Sequence, residues 1–257
     1  MRFSLAVIGG LVAACPAFSQ SLPVTFEGAS LTGAYNDYNG FEGAGGSDDG
    51  FTYTINAAAR ISFGQNFGAL FTLGYNEEEF DGDFFSSRAF VDINPYHKVL
   101  DGEIGPFFTY FQRNQGSFEG VQYGVSGKQQ YGKYTFEGYA SVFEDSLSPI
   151  TTNPVGVAFG YDVAHGFSVY VGQRRDVLNG GDYEALSTIA ASFDLSTIDT
   201  VEVPIIIGAE YSVFHDEDTS LTSSDFDQFS LVATYNFGGG AQPTFFRGIR
   251  SVDFFFD

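Results

Sequence analysis

The chain has 257 residues, of which 44% are hydrophobic, 18% aromatic and only 17% charged. Asp and Glu outnumber Lys and Arg 32 to 11, so the formal charge is 11 − 32 = −21. That balance argues against a nucleic-acid partner, which Lys and Arg would have to bind through phosphates; it suits a soluble surface, a cation-attracting channel mouth or a divalent-metal binder.

Residues 1–19 read as an export signal. Arg2 supplies a positive start, Phe3 to Ala14 an apolar run, and Ala17-Phe18-Ser19 the small residues of a cleavage site before Gln20. The VAAC stretch ending at Cys15, the sole cysteine, resembles a lipobox, although the apolar run before it is short. Cleavage after Ser19 is the expectation, and lipidation at Cys15 is the alternative. Cleavage would leave a mature chain without disulfides. No later stretch reaches the roughly 18 apolar residues of a spanning helix. An exported chain of this kind can still cross a bilayer as a closed barrel.

Period-2 alternation follows almost throughout. A first strand is expected over Val24 to Tyr35, then Phe51 to Phe63, Phe67 to Tyr75, Ala89 to Ile93, Ile104 to Tyr110 and Val121 to Val125. The series continues with Tyr134 to Val142, Val155 to Val163, Phe167 to Val171, Ile189 to Leu195, Val201 to Val213 and Phe229 to Phe237. That makes about twelve strands by the period-2 template. The row from Phe51 to Phe63 begins and ends with aromatics and is small in the middle, as a membrane strand requires.

The connections alternate in length. NDYNGFEGAGGSDDG (Asn36 to Gly50), NEEEFDGDF (Asn76 to Phe84), EDSLSPITTN, RRDVLNGGDYE and HDEDTSLTSSD are long, whereas GQN, GKQQYGK, VAHG and STIDT are short. Two segments strain the scheme: INPYHKVLDG (Ile93 to Gly102) is long for a periplasmic turn, and RNQGS (Arg113 to Ser117) is brief for an outer loop. Short turns on one side and long loops on the other are a habit of outer-membrane barrels.

With these strands and loops the chain resembles the Gram-negative outer-membrane β-barrels of the porin-like class. LVATYNF also resembles the C-terminal strand signal read by the barrel-assembly machinery, which the resemblance makes a partner. The fold implied is an all-β, transmembrane, up-and-down antiparallel barrel in the outer membrane, spanning residues 20–237. The chain departs from the pattern by continuing through residues 238–257, as a periplasmic tail, a lumen plug or an additional strand. The function implied is passive diffusion of small hydrophilic solutes.

If the oily rows face lipid, the opposite rows line the lumen. They carry Arg60, Arg88, Asp92, Lys133, Glu137, Asp162, Arg174, Asp194, Glu202 and Glu210. Such charges form either salt-bridged networks that fill the interior or a field across a water channel. The same rows carry Gly68, Gly74, Gly120, Gly124, Ala158, Gly160, Gly172, Ala190 and Gly208. Small residues there leave room for a narrow pore, or else ease bending and close packing. Glu77, Glu78, Glu79, Asp81 and Asp83, together with Asp216, Glu217 and Asp218, are expected in outer loops, where they would give a weak cation preference or simply a solvated surface.

Other readings stay open at this level. EEEFDGD and SDDG could take calcium but lack the spacing of a complete calcium loop, so no metal or cofactor is expected. His215 beside Asp216 and Asp218 could serve a hydrolytic barrel site, whereas His97 and His165 read as turn residues; without GxSxG or HExxH an enzyme is not expected. An exported acidic β-protein acting as a binding module is the alternative to a pore. An exposed apolar belt would suit outer-membrane lipid and equally a neighbouring copy in a homo-oligomer.

Overall fold

The computed structural model describes residues 24–43, 46–80, 84–113, 119–145, 151–177, 183–198, 203–217 and 225–238. The first half of the chain supplies β1 Val24–Gly43, β2 Gly46–Phe63, β3 Phe67–Phe80, β4 Phe84–Val99, β5 Gly102–Arg113 and β6 Glu119–Tyr131. The second half supplies β7 Tyr134–Asp145, β8 Thr151–Ala164, β9 Phe167–Val177, β10 Tyr183–Asp194, β11 Ile205–Glu217 and β12 Asp225–Gly238. The expected signal segment, with Cys15, and the extension past Gly238 lie outside the described residues.

Each strand pairs antiparallel with its sequence neighbours, and β12 returns to pair with β1 from Gly28↔Gly238 to Asn39↔Asp227. The sheet is a closed barrel. Closure removes both sheet edges, so backbone N–H and C=O groups find partners without water.

The pleat then sorts the side chains. In β8, Asn153, Val155, Val157 and Phe159 are exposed, while Thr152, Pro154, Gly156, Ala158 and Gly160 between them are buried. The same holds around the barrel: Leu31, Ile55, Val125, Ile189 and Leu231 are exposed, whereas Thr32, Asn56, Thr72 and Gln122 are buried. This is the inverse of a soluble sandwich, whose inner faces would be apolar. Aromatic rings gather on the outer face: Tyr134 lies 5.1 Å from Tyr161 and 5.8 Å from Phe159, and Tyr35 lies 5.4 Å from Tyr53. Rings of this kind suit the two membrane interfaces.

Several strand ends differ from expectation. Strand β1 runs 20 residues, about twice the roughly 9–11 needed to cross hydrocarbon, so pairing continues beyond it. The expected loop Asn36 to Gly50 is therefore mostly hairpin. Glu77, Glu78 and Glu79 belong to β3, and Asp216 and Glu217 to β11, rather than to loops. Backbone pairing needs no hydrophobic period, so acidic and glycine-rich segments can join the ladder as soon as the strands leave the membrane. At the other end β4 continues to Val99, and the turn is only Leu100 and Asp101. His97 consequently sits in β4, its ring 4.7 Å from that of Phe67, while His165 occupies a turn with Gly166, both at positive φ. Strand β11 begins at Ile205, because Pro204 has no N–H to give the ladder.

Between Ile93↔Phe108 and His97↔Ile104 the β4–β5 register is interrupted, and Pro95 and Pro106 stand in that gap. Here a Cβ on Gly105 would lie 1.9 Å from the Pro95 carbonyl oxygen, so the close approach requires glycine.

The outward position of the apolar rows makes a direct prediction. Ile189, 58% exposed, should not tolerate a charge: Ile189→Arg is expected to lose about 2–4 kcal/mol of folding free energy in lipid bilayers. Urea titration of the folded fraction in liposomes measures this. A loss near zero would contradict a lipid-facing Ile189.

Candidate functional site

The site is the inner face of the barrel, and its charges gather first at the end where β1 begins and the β2–β3 and β4–β5 turns lie. A bulge between Phe26 and Gly28 in β1 turns Glu27 inward, where it accepts hydrogen bonds from Arg60 Nε at 2.8 Å and Tyr96 Oη at 3.0 Å. Lys98 on β4 also pairs with Glu27. Arg60 on β2 bonds Glu103 on β5 through a second guanidinium nitrogen, and its guanidinium carbon lies 4.4 Å above the Tyr96 ring. Farther round the wall, Lys128 on β6 pairs with Glu137 on β7 at 3.1 Å.

Higher in the barrel the groups are more deeply enclosed. Arg174 and Asp176 on β9 form a bidentate pair with side chains 2% and 3% exposed, including Nε to Oδ1 at 3.1 Å. Asp92 accepts a hydrogen bond from Thr109 at 2.6 Å. Arg88 and Glu210 are buried on the same face.

The remaining expected lumen charges divide. Asp162 is inward and accepts from Ser168 Oγ at 2.7 Å. Asp194 instead caps the short 3-10 turn Leu195–Thr197, accepting from the Ser196 backbone N–H at 2.9 Å and from its hydroxyl at 2.7 Å. Lys133 is not a lumen residue. It sits exposed in the β6–β7 turn and donates to the Val163 carbonyl at 3.0 Å, because the strand ends at Tyr131. Glu202, Asp81, Asp83 and Asp218 lie outside the described residues. Glu77 and Glu79 are on the outer face of β3, where they pair by register with Tyr53 and Phe51. His215, in β11, stands opposite Ala185 and Asp225. Among the described residues no cluster of three His, Cys, Asp or Glu could hold a metal ion.

Aromatic rings also point inward, a feature the reading of the charged rows missed. Phe107 and Tyr139 meet edge to face at 6.1 Å and pack with Ala158 and Ala190, with Tyr170 against them. These side chains come from β5, β7, β8, β9 and β10, nearly half the circumference. Phe111 lies 6.4 Å from Phe90 and 6.1 Å from Phe143. The signal was present in the parity: rows that send Ala89, Val91 and Ile93 to lipid must send Phe90 inward.

These rings account for inward glycines. Gly68 stands opposite Tyr96, Gly74 opposite Phe90, Gly156 opposite Tyr139 and Gly160 opposite Tyr170. A Cβ on any of the four would come within 2.0–2.5 Å of the partner ring. At these positions glycine admits a ring lying flat on the neighbouring strand, so the space is taken by packing rather than left as bore.

No family model matches the sequence, and no curated protein does. Solved structures do. The KdgM porin matches with a TM-score of 0.55 at 9% identity, covering 80% of this chain and 98% of that one. The NanC porin gives the same TM-score, identity and coverages. An outer-membrane channel from Pseudomonas putida F1 gives 0.56 at 10% identity, covering 82% and 96%. The fold is that of the outer-membrane porins. At such identities the likeness speaks for architecture, and the inner face of this chain has to speak for itself.

If ring packing explains the glycines, Gly74→Val should destabilise the barrel by about 1–3 kcal/mol, as overpacking does elsewhere. The urea midpoint in detergent micelles reports it. An unchanged midpoint would mean that Gly74 borders open space.

Proposed function

We propose that the chain is a narrow outer-membrane channel through which small hydrophilic solutes diffuse, with a preference for cations over anions. The observation that carries the reading is the polarity of the closed wall: almost wholly apolar outside, and inside a majority of polar and charged side chains interspersed with aromatic rings. A cylinder with that polarity has a membrane to sit in and a hydrophilic path to offer. Rings and ion pairs that occupy the interior make the path narrow, in keeping with a strand number between barrels filled by side chains and wide porins.

The charge balance supports the preference. The described inward cations are Arg60, Arg88, Lys98, Lys128 and Arg174; the carboxylates are Glu27, Asp92, Glu103, Glu137, Asp162, Asp176, Glu184 and Glu210. Carboxylates are in surplus. Low-dielectric walls focus the field of that surplus and raise the local concentration of cations. One of the similar porins was determined in complex with disordered oligogalacturonate, a polyanion. An anionic oligosaccharide would meet repulsion in this lumen.

In planar bilayers under a potassium chloride gradient, the reversal potential should take the sign of cation selectivity. Proteoliposomes should swell in monosaccharides and leave oligogalacturonate outside. Anion selectivity, or uptake of the acidic oligomer, would overturn the reading.

A further inference from the structure

At the end of the barrel where β1 begins, four inward charges from four strands make two crossed struts. Arg60 on β2 reaches Glu103 on β5 past β3 and β4, and Lys98 on β4 reaches Glu27 on β1 past β2 and β3. The two struts are joined, since Arg60 also binds Glu27. A bond that skips two strands of a curved wall is a chord across the lumen, so the pair of chords forms a bar over one sector of the mouth.

The bar is held from behind. Gly68 lets the Tyr96 ring lie against β3, Tyr96 Oη donates to Glu27, and the Arg60 guanidinium rests on the Tyr96 ring. Arg60 is thus fixed by two carboxylates and an aromatic face, a geometry that its planar, multiply donating head suits and a lysine's does not. The bar also stands in water: its side chains are 15–35% exposed, against 2–3% for Arg174 and Asp176 deeper in the barrel. A solute passing through this mouth encounters these groups.

We propose that this crossbar sets the size limit and part of the charge selectivity of the channel, with Arg60 as its specificity-determining residue. The inference rests on the reading of the barrel as a channel. Intact, the bar is neutral, with two cations against two carboxylates, and acts mainly by obstruction. Losing Arg60 opens the chord and leaves one surplus carboxylate. Losing the Glu103 charge opens the same chord and leaves one surplus cation. The two changes should therefore widen the path alike yet move selectivity in opposite directions, which a merely structural role would not do.

The test compares the full-length protein with Arg60→Gln and Glu103→Gln in planar bilayers, using protein shown to be folded by its heat-modifiable gel mobility. Both variants should conduct more than wild type. The reversal potential should shift towards cation selectivity in Arg60→Gln and towards anion selectivity in Glu103→Gln. A silent wild type with conducting variants would also support the crossbar, as a closure. A conducting wild type whose two variants match it, or shift in the same direction, overturns the crossbar and leaves the channel standing. Silence in all three overturns the channel reading and the crossbar with it. Should Arg60→Gln fail to fold, Glu103→Gln, a near-isosteric loss of one charge, decides alone.

Discussion

The seam between β1 and β12 is the constraint on which the remaining features depend. An open sheet in hydrocarbon would leave a row of N–H and C=O groups without partners, each costing several kcal/mol. The ladder from Gly28↔Gly238 to Asn39↔Asp227 removes that row, and every other strand is already held by two neighbours. Once the ring is closed, the pleat has only two destinations for side chains. The apolar rows go to the outside because the polar rows, rich in Thr, Asn and paired charges, can be satisfied only within. A slip of one residue at any pairing would exchange the faces of a whole strand.

The interior solves a second problem, that of charges removed from bulk water. A buried ion leaves its hydration behind, and removing one partner of a buried pair typically costs about 3–5 kcal/mol. Arg174 and Asp176 meet that demand locally, two residues apart on one strand. Near the mouth, Arg60, Lys98, Glu27 and Glu103 meet it across strands, so the same pairing that satisfies the charges also ties distant parts of the wall together. Flat aromatic rings over opposing glycines occupy further interior space. Pairing and packing together order the inner face of the wall.

Strand identity and facing were legible in the sequence because period 2 is a property of each strand alone: Val155, Val157 and Phe159 needed no tertiary knowledge. Strand ends were less legible, because pairing beyond the membrane is imposed by the neighbouring strand. Glu77 to Glu79 carry no apolar alternation, yet they pair with Tyr53 to Phe51 on one side and with Ser87 to Phe85 on the other. The same error hid half the crossbar. Reading Ile93 to Gly102 as a turn removed Lys98 from the inner face, and starting the next strand at Ile104 removed Glu103. Glu27 depended on a bulge, which a strict alternation cannot foresee. The inward rings were legible in principle from parity, but their matching to Gly68, Gly74, Gly156 and Gly160 required the register.

The central claim, that the greasy rows lie against acyl chains, is open to a clean optical test because the chain contains no tryptophan. Val157, 65% exposed on β8, is a suitable place for a single reporter. Reconstituted Val157→Trp protein should emit in the blue and lose its fluorescence in bilayers of lipids brominated along their chains. Red-shifted emission, quenched by aqueous iodide and indifferent to brominated lipid, would place that row in water and contradict the account.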